Sequence, residues 1–248
     1  MLVTTEAVVL STLKYGDTSK IAHIYSKEYG KISIIAKGVR TSKSKLASFI
    51  EPLNYCTVSF YKKNSTNLHL LSQAEFVKNF PYLKNSYQNL FIGFSLLEAI
   101  AKTLEDNDAN TDIFSLLIKS ISLLNEPDVN PYTVFTSFNI HLSKNLGFML
   151  DLKDFEINEK SNKLNVLFNI ENGNVDRKEE KTNGGSISLN RQVIDKIIKL
   201  SKLEIEECAI VEISEDELMR IYELFIRYYS YHLDKTIKFC SLDFIQNK

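Results

Sequence analysis

The order of apolar and polar residues gives this chain two textures. Over the first eighty residues, short apolar runs alternate with turn signals. Ala7-Val8-Val9-Leu10 opens one run and Ile21 to Tyr25 forms another, with Tyr15-Gly16-Asp17 as the turn between them. Glu28-Tyr29-Gly30 marks a second turn. After it, Ile32, Ile34 and Ala36 alternate with Lys31, Ser33, Ile35 and Lys37. That period of two sends the first set to one face of a strand and the second to the other, so a β core can lie beneath a face that shows cations. Cys56 to Tyr61 and Leu68 to Ala74 read as two further strands, joined by a hairpin turn at Lys62-Lys63-Asn64-Ser65.

Pro81 begins the second texture. From Ser86 onward Leu90, Phe94, Leu97, Ala101 and Leu104 recur at helical steps. A second helix is predicted over Asp112 to Leu124, and a third from Pro131 to Asn145 with Gly147 as its stop. Val134, Phe135, Phe138, Leu142 and Leu146 form the buried stripe of the third. Residues 151–190 are polar and rich in Lys, Asn and Glu, and read as a small β excursion with strands at Lys163 to Ile170 and Ser186 to Leu189. Helices return at Gln192 to Leu203 and Glu215 to Lys235. The second of these starts on a capping box, Ser214 with Glu217, and buries Leu218, Ile221, Tyr222, Phe225 and Tyr229. The fold class is therefore α+β. A five-stranded closed barrel over 1–80, OB-fold or SH3-like by strand count, precedes a mostly α-helical domain over 81–248 with its polar insertion at about 151–190.

Charge sharpens this division. The formal net charge is −1, but residues 1–80 hold eleven Lys/Arg against five Asp/Glu and the remainder nineteen against twenty-six. A basic front end suits a polyanion, either nucleic acid or an anionic membrane surface. Its cations peak in Ala36-Lys37-Gly38-Val39-Arg40-Thr41-Ser42-Lys43-Ser44-Lys45-Leu46, a Ser/Thr/Gly-rich loop without an acid, leaving a strand. Lysine and arginine neutralise phosphates and release counterions, and small hydroxyl residues donate beside them. Lys37, Arg40, Lys43 and Lys45 are the candidate backbone contacts, with Lys31, Lys62 and Lys63 as secondary ones. Among the aromatics Tyr15, Tyr25, Tyr29, Tyr55, Phe60 and Tyr61, the turn residues Tyr15 and Tyr29 are the better stacking platforms for bases.

Catalytic chemistry is not apparent. His23, His69, His141 and His232 have no partner at a metal or nucleophile-activating spacing. Neither nucleotide-loop pattern occurs, nor GxSxG, HExxH or Cys-x-x-Cys. A nuclease would need a carboxylate cluster on the basic face, where only Glu6, Asp17, Glu28, Glu51 and Glu75 are available. A peptide-binding β-barrel adaptor is the other alternative. Three scattered cysteines, Cys56, Cys208 and Cys240, fit a reducing compartment. No signal peptide opens the chain, and the apolar segment Leu90 to Ala101 is too short to span a bilayer, so a cytoplasmic protein with no membrane partner is expected.

Several segments in order resemble the RecO family of bacterial recombination mediators. They are Glu6-Ala7-Val8-Val9-Leu10, Tyr15-Gly16-Asp17-Thr18-Ser19-Lys20, Tyr29-Gly30-Lys31-Ile32-Ser33, Ala36-Lys37-Gly38-Val39-Arg40 and Ser42 to Leu46. Glu51-Pro52-Leu53, Leu68 to Leu71 with Glu75, Phe80-Pro81, Asn145-Leu146-Gly147-Phe148 and Tyr228 to Leu242 extend the likeness over nearly the whole chain. The resemblance implies an N-terminal OB-fold and a helical domain, with no cofactor and no enzymatic activity. It implies binding of single- and double-stranded DNA and annealing of complementary strands in a nucleoid-associated role. It further implies RecR and the acidic C-terminal tail of the single-strand binding protein as partners, with RecA loaded indirectly. For such a tail Lys144, Arg220 and Arg227 are candidate contacts. Many family members carry two Cys-x-x-Cys pairs. Here Phe155 and Asn158 stand at the first and Ser188 and Arg191 at the second, so no zinc is expected, while Gly184-Gly185 suggests that the small β subdomain persists.

Overall fold

The structure is a computed structural model, and it describes residues 1–42, 44–63, 66–152, 165–175 and 185–242. Lys43, Asn64, Ser65, Phe155, Asn158 and Gly184 lie outside the described residues. The chain forms two compact units. One runs Met1–Asn125 and takes in the chain end from Ser241; the other runs Glu126–Cys240.

The alternation of the first texture builds five strands: β1 (Leu2–Tyr15), β2 (Ser19–Ser26), β3 (Gly30–Ala36), β4 (Tyr55–Tyr61) and β5 (Leu68–Lys78). They close into a barrel in the order β1-β2-β3-β5-β4, with β4 returning to β1. All pairs are antiparallel except β3 with β5. This is the OB-fold expected. Val9, Ile24, Ile32, Ile34, Val58 and Phe60 fill the interior. A register shift between Val9 and Ser11 inserts Leu10 as a bulge. Beyond it, Ser11 lies opposite His23 and Leu13 opposite Ile21, which places Ser11 and Leu13 on the outer side.

Three helices complete the first unit: α1 (Pro81–Asn85), α2 (Tyr87–Thr103) and α3 (Thr111–Leu124). Ser86 caps α2 and Asn110 caps α3 by accepting backbone N–H groups of the first turn. The buried face of α2 differs from the expected one. Of the expected stripe Leu97 and Leu104 are buried, but Asn89, Ile92, Gly93, Leu96 and Ile100 also point inward, whereas Leu90 and Phe94 are half-buried and Ala101 is exposed. The polar and small positions decide this rotation. The Asn89 carboxamide donates to the Leu124 carbonyl at 2.7 Å, and Gly93 lets the helix come close to Leu53.

In the second unit, α4 (Pro131–Asn145) is buried on nearly every side. Of its interior polar groups, Thr133 bonds to the Val211 carbonyl, Thr136 to that of Tyr132 and Asn139 to that of Phe135, while the Ser137 hydroxyl has no partner among the described residues. β6 (Asn165–Asn169), β7 (Asn174–Val175) and β8 (Ser186–Asn190) form a sheet in the order β7-β6-β8. α5 (Arg191–Ser201) follows directly, and α6 (Glu215–His232) opens on the expected Ser214–Glu217 capping box. Its face Leu218, Ile221, Tyr222, Phe225 and Tyr229 is buried. Ser188 is an exposed residue of β8 and Arg191 the first residue of α5. Among the described residues no group of three or more His, Cys, Asp or Glu gathers that could hold a metal ion. No described helix is long and apolar enough to cross a membrane.

Three of the four histidines are held toward the neutral form. Burial lowers the pKa of His69, and the ammonium groups of Lys62 and Lys63 push it further down. Burial likewise lowers His141, against the pull of Glu204, and His232, against its bond to the Ile170 carbonyl. Such a group protonates more readily in the unfolded chain. Its stabilising contribution is full above the ordinary value of about 6.5 and is lost as the pH falls from there through the folded value. The urea midpoint of the full chain should therefore drop between pH 7.5 and pH 5.5, before most carboxylates titrate. A midpoint that holds steady over that interval refutes the expectation.

Candidate nucleic-acid interface

The basic loop leaves β3 at Ala36 and is pinned at both ends. Val39 and Ile50 are buried with the barrel core, and Leu46, Ala47 and Phe49 pack against it. Gly38 turns the chain at φ +66. The Thr41 N–H and hydroxyl both donate to the Gly38 carbonyl, at 3.2 and 2.8 Å. Arg40 then docks the loop onto the β1–β2 turn. Its N–H donates to the Thr18 carbonyl at 2.8 Å and its guanidinium to the Gly16 carbonyl at 3.1 Å.

This docking brings Arg40 beside Tyr15 at the barrel end where Lys37 leaves β3, with Lys45 further along the same loop. All four are exposed, and among the described residues none of the three cations makes an ion pair. Two cations that sequence reasoning passed over join them. Lys14 lies directly opposite Lys20 across β1 and β2. Lys20 is paired with Glu51 at 2.7 Å, whereas Lys14 is exposed and makes no ion pair among the described residues. Alternation sets Lys14 on the opposite side of β1 from Leu13 and Tyr15, and its place at the cationic end shows only in its register with Lys20.

Lys62 and Lys63 stand at the other end, at the close of β4. The Lys62 ammonium sits 4.4 Å from the centre of the Tyr29 ring, and that ring meets Phe60 edge-on at 5.7 Å. Tyr29 is thereby packed on the core side by Phe60 and covered by a cation, and it offers no open platform in this arrangement. Tyr25, Tyr55 and Phe60 are buried; Tyr15 at 50% and Tyr61 at 47% are the exposed rings. Tyr25 and Tyr55 both lie against Phe114 of α3, with ring centres 6.0 and 6.1 Å apart.

Between the two ends runs the outer face of β2 and β3. Its rows are Ser11, His23, Ser33 and Leu68, then Leu13, Ile21, Ile35 and Leu70. Lys37 continues the outward phase of β3. Lys31, on the same side, is engaged elsewhere: its ammonium donates to the Ala101 carbonyl at 2.8 Å and lies 3.5 Å from the Asp106 carboxylate. Its side chain is only 15% exposed, so it acts as a tie between the barrel and the α2–α3 connection.

In the second unit, Arg220 and Arg227 flank one carboxylate, Glu223, at 3.6 and 3.7 Å. Arg227 also donates to the Ser186 carbonyl at 3.3 Å. Lys144 is exposed in the last turn of α4 and belongs to a different surrounding, the charges acting on His141 together with Glu204 and Glu206. Among the described residues the carboxylates of the barrel form no group of three or more that could hold a metal ion. Glu6 accepts from the Tyr55 hydroxyl and faces Lys27, Glu28 accepts from the Thr5 hydroxyl, and Glu51 faces Lys20.

A closed five-stranded barrel in this order defines the class: an OB-fold protein, in which the β2–β3 face and its flanking loops take oligonucleotides or oligosaccharides. The family described as Recombination protein O N terminal matches residues 1–80, and Recombination protein O C terminal matches residues 84–239. The chain belongs to the RecO family. A protein of Chloroherpeton thalassium named DNA repair protein RecO is 27% identical over 252 residues, covering 97% of this chain and 96% of its own. One of a Thermoanaerobacter species with the same name is 26% identical, covering 99% and 98%. Another, of Salinibacter ruber, is 30% identical over 146 residues, which span 59% of this chain and 56% of that protein. The role of the chain accordingly lies in DNA repair.

Proposed function

We propose that this chain is a non-enzymatic mediator that binds single- and double-stranded DNA through the cationic end of its barrel and anneals complementary strands. The observation that carries this reading is the docking of Arg40 on the β1–β2 turn, at the barrel end that also carries Lys14 and Lys37, with Lys45 in the same loop and, among the described residues, no ion pair to any of the four. Two strands repel each other through their phosphates. A fixed group of uncompensated cations replaces their condensed counterions and lowers that repulsion where the strands meet. Tyr15 beside it offers an exposed ring on which an unpaired base can stack.

The same reading takes RecR and the acidic tail of the single-strand binding protein as partners, with RecA loading as the end of the pathway. Arg220 and Arg227 are the tail contacts to examine first, because they share one carboxylate and one helix side. The deciding experiment is strand annealing with complementary oligonucleotides, bare and coated with single-strand binding protein. Acceleration of both reactions is expected. A protein that leaves the annealing rate of bare strands unchanged does not have this function.

A further inference from the structure

We propose that a cleft at the foot of the outer β-sheet face accepts one unpaired nucleobase; the inference rests on the DNA-binding reading above and adds to it what the strand offers besides phosphate. The cleft has a volume of about 350 Å³ and opens between the outer side of β1–β3 and the end of α2. That is at the lower end of the range of small-molecule pockets, roughly 300–1,000 Å³.

Its lining sets polar groups beside the apolar Leu10, Ile24, Ile32 and Ala101 and carries little net charge. Lys31 forms one wall, and its ammonium is already taken by the Ala101 carbonyl and the Asp106 carboxylate. A phosphate entering here would meet Asp106 and no unengaged cation. A base edge, with neutral donors and acceptors side by side, meets complementary groups. His23 Nδ1 and the Ser33 hydroxyl share a hydrogen bond of 2.9 Å, which fixes the imidazole on the sheet and leaves Nε2 available. Among the described residues the Asn67 carboxamide and the Ser11 hydroxyl have no side-chain partner, and both line the same space.

The position suits a strand held by the cationic end. Ser33 and Lys37 are four residues apart on one side of β3, which is about 13 Å of strand. Bases in duplex DNA present these edges to their partners and do not reach the cleft, so the cleft adds to affinity only for unpaired DNA.

The test compares a mixed-sequence single strand with an abasic strand of the same length, which keeps every phosphate. The full-length wild-type chain should bind the base-bearing strand about tenfold more tightly, the value of one to two net hydrogen bonds. The His23→Ala/Asn67→Ala variant should lose about that tenfold from its binding of the base-bearing strand and nothing from its binding of the abasic strand, so that only the preference given by stacking on Tyr15 is left. Ala101→Leu, which fills the cleft from an exposed helix position, should do the same and decides the matter if the double variant fails to fold. Equal binding of the two strands by the wild type overturns the cleft and leaves the phosphate grip intact. Absence of binding to either strand overturns both. A preference that is undiminished in both folded variants assigns the base contact elsewhere and rejects this site.

Discussion

Replacing Lys37, Arg40 and Lys45 together by alanine is expected to weaken single-strand binding by about a hundredfold near 0.1 M salt. Each phosphate neutralised on a single strand contributes roughly 0.7 to the slope of log affinity against log salt, so the slope should fall by about 2. The three side chains are exposed and make no ion pairs among the described residues, so their removal leaves no buried charge behind. Fluorescence titration at several salt concentrations reads both quantities. An unchanged slope would remove the loop from the interface even if affinity fell for other reasons. Arg40 has a second task, since its guanidinium also bonds the Gly16 carbonyl. Arg40→Lys keeps the charge and loses that fork, and it separates docking of the loop from neutralisation of the strand.

The second large effect concerns stability. Gly30 sits at φ +64 between β2 and β3, and a Cβ placed on it would run into the backbone of Asp108. Gly30→Ala therefore combines left-handed backbone strain with a clash that neither main chain can relieve by a rotamer change. A loss of about 3 kcal/mol is expected. Gly38 gives the matched control. Its φ is +66, but nothing lies within 4 Å of the corresponding Cβ. Gly38→Ala should cost only the strain, about 1 kcal/mol. Urea unfolding of the two variants beside the wild type measures the difference. Equal losses would show that the Asp108 contact contributes nothing.

These two glycines also show what a sequence can and cannot disclose. Period-two alternation along Ile32, Ile34 and Ala36 located β3 and its inner face correctly, because alternation is a property of one strand. The helix starts at Ser214 and Pro131 were legible for the same reason: a cap is a local device. The inner side of α2 was not. Its segment is apolar enough to support two stripes, and the choice depends on Leu53 and Leu124, which come from other elements. Lys31 lies on the outer side of its strand as alternation requires. Its engagement with Ala101 and Asp106 depends on residues seventy or more positions away. Tyr25 and Tyr55 read equally well as stacking rings or as core until Phe114 is brought against them. Lys14 was overlooked for the same reason, since only the register with Lys20 makes its position at the cationic end conspicuous.

The α2–α3 connection has one more consequence. β3 pairs with β5 only over Ser33 to Ile35, so the start of β3 would present bare main-chain groups along one margin. Asp106 bridges to Lys31 there, and the Asn107 N–H donates to the Lys31 carbonyl at 3.0 Å. The margin is thereby closed by the chain's own backbone. A neighbouring copy finds no template on which to add a strand, and crowded molecules are spared sheet-to-sheet aggregation at that point.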